Sequence, residues 1–200
     1  MHTRLSTWTN ATNIEGGINY LRDTAVPLFH QQRGYRGLSA SVDRSSGTVT
    51  ILSQWDTEAD RDASDSVLGK ARDEASEILG GTVSVEKLEA LVVEIDTPPA
   101  PGSVLSVTPF SMDPAMVDEN LAWFIAEVVP QIKAAPGFCA LRNLADHKTG
   151  RGYVGTIWTD RAAMEYQAEG ARARRQTASD TRGITFGEAA SREIVFVDTP

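Results

Sequence analysis

Two tryptophans of the chain, Trp55 and Trp158, each follow a hydroxyl-bearing residue by two positions, Ser53 and Thr156. Residues two apart on a strand point to the same face, so each pair would present a flat aromatic ring, an indole N–H and a hydroxyl group together. Such a set suits a flat apolar ligand with a polar substituent. Packing in the core is the alternative role for the tryptophans, and a bond to backbone or water is the alternative for the hydroxyl groups.

A second group of candidates could transfer a proton. His30 lies on the first predicted helix, and Tyr35 follows just after it. His30 comes two residues after Leu28, so we expect its ring to point away from the buried stripe of the helix. Exposure to solvent is the alternative to a catalytic role for this histidine.

Composition limits the classes of function. The chain has 200 residues, of which 41% are hydrophobic and 23% are charged, enough apolar material for a core. The net charge of −8 argues against nucleic acid or an anionic membrane as a partner. No apolar run reaches the roughly 18 residues of a membrane span, and the first residues lack the features of a signal peptide. The single cysteine, Cys139, excludes an internal disulfide and a cysteine-rich metal site, so we expect a cytoplasmic location.

One basic cluster stands out in this acidic chain, namely Arg172, Arg174 and Arg175. Its helical spacing predicts a solvated helix face, and an anion site is the alternative. The sequence contains no P-loop, no dinucleotide-binding glycine motif, no zinc-protease motif and no nucleophile elbow. Nucleotide-dependent chemistry and zinc chemistry are therefore disfavoured.

The chain contains an internal repeat. Aligning Trp55 with Trp158 also aligns Val26-Pro27 with Val129-Pro130. The same alignment matches Gly34 with Gly137. Collinear matches of proline, glycine and tryptophan indicate a duplicated domain. We predict a first repeat at 1–96 and a second at 104–200, with a proline-rich linker at 97–103.

Each repeat has the pattern β-α-β-β-α-β. The apolar residues of the first helix recur on one helical face, and the proline near its end should kink the helix or stop it early. The turns "DRSSG" and "DHKTG" predict a hairpin between the second and third strands. Thr57 and Thr159 are predicted to cap the helices that follow the tryptophans.

The two faces of each sheet are both apolar. One face receives the two helices, and the other still carries residues such as Leu52 and Ile157. The sheet of the other repeat can cover that second face. We therefore expect an intramolecular pseudo-dimer, and further oligomerisation stays open.

These stretches resemble the antibiotic biosynthesis monooxygenase-like domains of the dimeric α+β barrel superfamily. The likeness rests on "PGF" (136–138) with its echo "RGY" (33–35), and on "SQWDTEADRDA" (53–63) with its echo "TIWTDRAAMEY" (156–166). It implies an α+β fold of two ferredoxin-like β-α-β-β-α-β repeats packed sheet to sheet as a single-chain dimeric α+β barrel. It also implies a small-molecule-binding protein related to cofactor-independent monooxygenases of aromatic or polyketide-like substrates.

The family's active-site pattern is only partly present. Its strand-end tryptophan matches Trp55 and Trp158, but the asparagine and the tyrosine that accompany it in the monooxygenases are missing from both repeats. Those positions are occupied by Ile51, Arg61, Val154 and Met164.

Related haem degraders bind iron through a histidine on the helix after the tryptophan. This chain has no histidine between His30 and His147 and none after His147, so we expect no haem and no other cofactor. These relatives also use an asparagine on the first strand, which matches Asn10 in the first repeat.

Three functions stay open at this point. They are a cofactor-independent oxygenase or isomerase acting on a small aromatic molecule, a non-catalytic pseudo-dimeric binding domain, and a haem-binding or haem-degrading protein. If one repeat carries the chemistry, we favour the first, because it holds Asn10, His30, Tyr35 and Ser53.

Overall fold

The computed structural model describes residues 1–200. The chain divides into two compact units. Unit 1 consists of Met1–Leu88 and Glu193–Pro200, and unit 2 consists of Glu89–Arg192. The predicted α+β class and the two ferredoxin-like β-α-β-β-α-β repeats are confirmed.

The first repeat forms four strands and two helical regions. Its elements are β1 (His2–Thr9), α1 (Ile14–Tyr20), a π-helical segment (Leu21–Ala25), α2 (Val26–His30), β2 (Tyr35–Asp43), β3 (Thr48–Trp55), α3 (Glu58–Ala63), α4 (Asp65–Leu79) and β4 (Thr82–Ile95). The strand order β4-β1-β3-β2 is antiparallel between β1 and β3 and between β3 and β2. The end of β9 pairs with β2 within unit 1, with Ala40 opposite Phe196.

The second repeat follows the same order. Its elements are β5 (Val104–Ser111), a 3₁₀ turn (Pro114–Met116), α5 (Val117–Trp123), a π-helical segment (Phe124–Val128), α6 (Val129–Lys133), β6 (Phe138–Asp146), β7 (Arg151–Trp158), α7 (Arg161–Tyr166), α8 (Ala168–Arg182), β8 (Thr185–Phe186) and β9 (Ala190–Asp198). Strand β7 lies between β5 and β6, and the end of β4 pairs with β6 within unit 2.

The last strand of each repeat extends beyond its compact unit. Strand β4 belongs to unit 1 as far as Leu88 and to unit 2 from Glu89, whereas β9 enters unit 1 at Glu193. The repeat boundaries at 1–96 and 104–200 stay a prediction about the duplication. The predicted linker at 97–103 contains no helix and no strand.

The core of each unit lies between the sheet and its helices. In unit 1, Trp55 packs with Leu21, Phe29 and Leu68. In unit 2, Trp158 packs with a corresponding group that includes Val128, Ile132 and Leu141. None of the helices combines the length with the apolar character that a membrane crossing requires.

The first helices do not end early at their prolines, which was one of the two predicted effects, and the other effect, a kink, stays a prediction. The helices continue past Pro27 and Pro130 to His30 and Lys133, and a wider π-helical turn precedes each proline. Proline cannot donate the hydrogen bond that an α-helix needs at this point, and a π-helical turn is a local change of bonding that lets a helix continue.

The predicted hairpins and one of the two predicted caps are confirmed. Both hairpin turns end at a glycine with positive φ, Gly47 at 64° and Gly150 at 66°. Thr57 caps α3 by accepting the backbone N–H of Asp60 at 3.0 Å. The cap of α7 is Asp160 rather than Thr159, because the Asp160 carboxylate accepts the N–H of Ala163 at 2.9 Å.

Candidate functional site

Each strand-end tryptophan is hydrogen-bonded to the hydroxyl group two residues before it. Trp158 Nε1 donates to Thr156 Oγ1 at 3.0 Å, and Trp55 Nε1 donates to Ser53 Oγ at 3.1 Å. The strand alternation that placed each pair on one face also brings the two polar atoms within bonding distance. The indole N–H is thereby satisfied inside the protein, which leaves the ring face as its contact surface.

The two pairs differ in whether the hydroxyl group donates a hydrogen bond of its own. Ser53 Oγ donates onward to the backbone carbonyl of Arg4 at 3.5 Å. The Thr156 hydroxyl has no acceptor in the protein, since its one hydrogen bond is the one it accepts from Trp158. Its hydrogen is therefore available to a molecule beside it.

Thr156 and Trp158 line a cavity of about 290 Å³ in unit 2. Helix α8, the segments of the first helix and the strands β5 and β7 surround it. The apolar part of its wall is formed by Trp123, Phe124, Val128, Ile132, Val154, Trp158, Met164 and Phe186. The wall is thus mainly aromatic and aliphatic, as is typical of small-molecule sites.

A few polar groups interrupt this wall. Ser106 and Thr108 on β5 contribute hydroxyl groups, and Ser106 lies directly opposite Thr156 in the sheet. Gln167 and Ser191 complete the set of neutral polar side chains. Few convergent polar groups in an apolar wall can orient a ligand and select among related ones.

The basic cluster of α8 also lines this cavity. Arg172 is exposed, whereas Arg174 and Arg175 are half-buried. The predicted solvated helix face is therefore wrong for Arg174 and Arg175. Burial lowers the pKa of Arg174, with the neighbouring charge of Arg175 as a second cause. Burial likewise lowers the pKa of Arg175, and Arg172 adds to the shift.

In unit 1 the corresponding cavity measures only about 40 Å³. It is filled by Arg4, which is 2% exposed and lies opposite Ser53, as Ser106 lies opposite Thr156. Arg4 contacts Asp65 at 2.9 Å and Ser64 Oγ at 3.1 Å, and it donates to the carbonyl oxygen of Arg61. Its guanidinium group lies 5.6 Å from the ring centre of Trp55.

Burial lowers the pKa of Arg4 to about 10, although the nearby Asp65 acts in the opposite direction. A buried arginine needs such partners, because an unpaired charge in the interior is strongly destabilising. The Arg4 network is therefore a structural filling of unit 1 and leaves little room for a ligand.

A side chain of helix α4 also occupies space in the cavity of unit 1. Leu68 is 3% exposed and lines the small cavity. In the alignment of the repeats its place is taken by Ala171, which lines the large cavity. Two smaller side chains, Ser106 and Ala171, thus account for much of the space in unit 2. Our preference for the first repeat as the site of chemistry is not supported by this geometry.

The remaining candidates of the first repeat lie away from both cavities. Asn10 is exposed just after β1, with φ at 58°. His30 is about half exposed, and its Nε2 lies 2.8 Å from Asp198 Oδ2. Tyr35 is buried and donates to the same oxygen at 2.8 Å. Burial raises the pKa of Tyr35, and the carboxylate of Asp198 raises it further. These contacts join β2 and the end of β9, which indicates a structural role.

Several residues of the cavity were not candidates from the sequence. Phe124 belonged to the predicted apolar stripe of the helix, and Trp123 and Ser106 had been given no role. The sheet register places Arg4 and Ser106 at equivalent positions, whereas the alignment of the repeats matches Arg4 with Val107, so the sequence did not indicate the difference in size. The sequence pattern alone gives no volume, because the cavity depends on side chains from many separate elements of the second repeat.

Solved structures of other proteins share this fold. A Fusobacterium nucleatum protein provisionally assigned as a monooxygenase matches 99% of this chain and 94% of its own, with a TM-score of 0.72 and 11% identity. An anthrone oxidase-like protein matches 99% of this chain and 92% of its own, with a TM-score of 0.71 and 18% identity.

A third structure, from Listeria monocytogenes, is a ferredoxin-fold protein related to antibiotic biosynthesis monooxygenases. It matches 97% of this chain and 94% of its own, with a TM-score of 0.56 and 8% identity. The fold is that of the antibiotic biosynthesis monooxygenase-like proteins, so the resemblance found in the sequence is confirmed. At these identities the structures establish the fold alone.

The chain belongs to the same family as the uncharacterized protein Rv2557 of Mycobacterium tuberculosis. The two are 32% identical over 152 residues, which are 76% of this chain and 68% of the mycobacterial protein. A second protein of that organism, Rv2558, is 28% identical over 71% of this chain and 60% of its own length. No protein-family model matches the chain.

The fold is also that of LmHde, a haem-degrading enzyme of Listeria monocytogenes, with a TM-score of 0.57 and 8% identity over 96% of this chain and 99% of that enzyme. Haem iron is held by histidine, cysteine, methionine or tyrosine side chains. The cavity of unit 2 offers one of these, Met164, and no histidine, cysteine or tyrosine. Its residues therefore fit a haem group poorly, and no cluster of three or more metal-binding side chains occurs elsewhere.

Proposed function

We propose that unit 2 binds a flat aromatic small molecule against Trp158 and that the protein oxidises this molecule with O₂, as a cofactor-independent monooxygenase. The observation that carries the proposal is the cavity of about 290 Å³ with the Trp158–Thr156 pair in its wall. The monooxygenase-like structures of the same fold support the reaction class.

The size of the cavity favours a fused-ring ligand. A cavity of roughly 150 Å³ in an apolar core takes up one benzene molecule, and the unit 2 cavity has about twice that volume. Trp123, Phe124 and Trp158 offer ring surfaces on which an aromatic ligand can pack. Two or three fused rings of a polyketide-like compound match this space.

Thr156 is the polar group best placed to orient the ligand. Its oxygen accepts from Trp158, and its hydrogen has no acceptor in the protein. A substrate carbonyl or enolate oxygen can accept that hydrogen, and such a bond strengthens as negative charge develops on the oxygen. The surrounding apolar wall lowers the local dielectric constant, so the hydrogen bond is stronger than it would be in water.

An anthrone-type substrate illustrates the reaction. Its ring methylene reacts with O₂ to become a carbonyl group, one oxygen atom is incorporated and the other leaves as water. The two hydrogens of the methylene are consumed in that water, so no external reductant is required. Loss of the first proton to a water molecule, since no histidine, aspartate or glutamate lines the cavity, gives an electron-rich anion whose oxygen Thr156 can hold.

Binding is tested first, by titrating the tryptophan fluorescence with a hydroxyanthraquinone. Wild type should show saturable quenching, and Trp158→Phe should weaken both the quenching and the affinity. Trp55→Phe is the matched control, because Trp55 lines neither cavity and should leave the affinity unchanged. The absence of saturable quenching in wild type would refute the proposed binding.

Turnover is tested separately, by oxygen consumption with an anthrone. Wild type should consume O₂ above the background rate, and Thr156→Val should lower that rate with little loss of binding. A ligand that binds without oxygen consumption would leave the second candidate, a non-catalytic binding domain. That candidate is favoured by one observation, namely that no histidine, aspartate or glutamate lines the cavity to act as a general base.

A cytoplasmic location is part of the same proposal, since the buried Cys139 thiol is free and has no disulfide partner. A haem-binding role is tested with haemin. An unchanged haemin spectrum on addition of protein is expected from the cavity's lining.

A further inference from the structure

We infer that the molecule bound in the unit 2 cavity is an aromatic anion whose ionised oxygen group is held by Arg174 and Arg175. This inference rests on the proposed function, because it concerns the same cavity. It adds the chemical class of the ligand, a flat ring system that carries a carboxylate or an equivalent ionised oxygen.

The first observation is that the arginines have no partners in the protein. Arg172, Arg174 and Arg175 all line the cavity, and none of the three forms a hydrogen bond or an ion pair. No carboxylate is among the residues of the cavity wall. By contrast, the buried Arg4 and Arg61 and the half-buried Arg72 and Arg182 each have a carboxylate oxygen within 3.1 Å, in a chain with 27 acidic and 19 basic residues.

The second observation comes from unit 1, where the counter-charge is present. Arg4 and Arg72 line the small cavity, and both contact Asp65, at 2.9 Å and 3.1 Å. Asp65 is the first residue of α4, and Ala168 is the first residue of α8. Unit 2 thus has an arginine-lined cavity in which the position of the neutralising aspartate is occupied by alanine.

The arrangement is electrostatically unfavourable without an added anion. Arg174 and Arg175 are partly buried and adjacent, so each cation lies in the field of another. Guanidinium groups bind carboxylates through two parallel charge-assisted hydrogen bonds. An anionic group on the ligand would supply the missing negative charge while the rings occupy the apolar wall.

The charged part and the aromatic part of the cavity wall come from different elements. The arginines all come from α8, whereas Trp158 and Thr156 come from β7 and Trp123 and Phe124 from the first helix. A ligand with a charged group at one end and fused rings at the other matches both parts. A neutral aromatic compound would contact the aromatic side chains of the cavity but would leave the arginines without a counter-charge.

The test compares two probes with the same ring system, anthraquinone-2-carboxylate and anthraquinone-2-carboxamide, by fluorescence titration at low and high salt. Wild type should bind the carboxylate about tenfold or more tightly than the carboxamide, since charge-assisted hydrogen bonds are among the stronger ones. High salt should reduce this preference.

Two variants, Arg174→Gln and Arg175→Gln, should each weaken carboxylate binding and leave carboxamide binding unchanged. Arg151→Gln is the matched control, because Arg151 is exposed in the same unit and does not line the cavity. It should change neither affinity.

The outcomes separate the two claims. Equal affinity for both probes, with no effect of the arginine variants, would overturn the inference while the proposed binding function stands. Binding of neither probe would overturn the proposed function and the inference with it. Carboxylate preference that disappears in Arg174→Gln or Arg175→Gln supports both.

Discussion

Arg4 and Ser106 occupy the same strand position in the two units, and the difference in their size changes what each unit can hold. Arg4 lies opposite Ser53, and Ser106 lies opposite Thr156. Ser53 and Thr156 each come two residues before the strand-end tryptophan of their unit. The long side chain fills unit 1 and is paired with Asp65. The short one leaves space beside Trp158. The duplication has thus produced one filled unit and one open unit.

The Arg4 network should stabilise unit 1. We expect Arg4→Ser to lower the free energy of unfolding by about 3 kcal/mol, the lower end of the range for breaking a buried ion pair. The lower end applies because Asp65 keeps Arg72 and Lys87 as partners. The measurement is urea unfolding followed by circular dichroism.

The matched control for this prediction is Arg36→Ser. Arg36 pairs with Asp56 at 2.6 Å on the surface, where both groups are exposed. The control should unfold at the wild-type urea concentration. Equal unfolding midpoints for Arg4→Ser and Arg36→Ser would show that the buried network has no stabilising role.

Two glycines with nearly the same φ should respond differently to alanine. Gly150 has φ at 66°, and an added Cβ would lie against the carbonyl oxygen of Met112. Gly183 has φ at 65° with open space around it. Gly183→Ala should cost about 1 kcal/mol for the left-handed conformation alone, and Gly150→Ala about 3 kcal/mol because a steric clash is added.

Thermal or urea unfolding of both variants measures this difference. The comparison isolates the clash, since the backbone conformation is shared. A Gly150→Ala protein as stable as Gly183→Ala would mean that the turn after β6 moves freely away from Met112.

The hairpin turn of unit 1 should contribute to acid sensitivity. Hydrogen bonds from Ser45 and Ser46 lower the pKa of Asp43 to about 2. A carboxyl with a lowered folded-state pKa stabilises the protein fully above its unfolded pKa of about 3.9, and the contribution is lost as the pH falls toward 2. We expect Ser45→Ala to raise the pKa of Asp43 toward the unfolded value.

NMR titration of the side-chain carboxyl carbons measures this shift. Asp146 serves as an internal control, because its own pKa is lowered by the Lys148 backbone N–H and the Thr149 hydroxyl. Its titration should be identical in wild type and Ser45→Ala. An unchanged Asp43 titration in the variant would contradict the assigned cause.

Much of the fold follows from local sequence signals. The glycines of the hairpin turns, the helical stripe and the alternation that places Ser53 with Trp55 each depend on residues close in the chain. The predicted cap Thr159 was wrong because Asp160, one residue later, also offers a side-chain oxygen. The helix does not end early at Pro27, because a π-helical turn can take up the missing hydrogen bond.

The site was less predictable than the fold. Asn10 and His30 were chosen by residue type, yet both are on the surface of unit 1. The cavity depends instead on small side chains, Ser106 and Ala171, whose effect appears only when separate elements pack together. The arginines were interpreted as a solvated face because helical spacing does not show which neighbour the helix faces.

The most direct test of the central claim, that the open cavity of unit 2 is the ligand site, is the affinity of Ala171→Leu for anthraquinone-2-carboxylate. This change places in unit 2 the side chain that Leu68 supplies in unit 1. Alanine and leucine are both good helix formers, so Ala173→Leu, at an exposed position of α8 outside the cavity, is the matched control. We predict that Ala171→Leu lowers the affinity about tenfold or more, because the added side chain occupies ligand space, while Ala173→Leu binds as wild type does. Wild-type affinity in Ala171→Leu would contradict the claim.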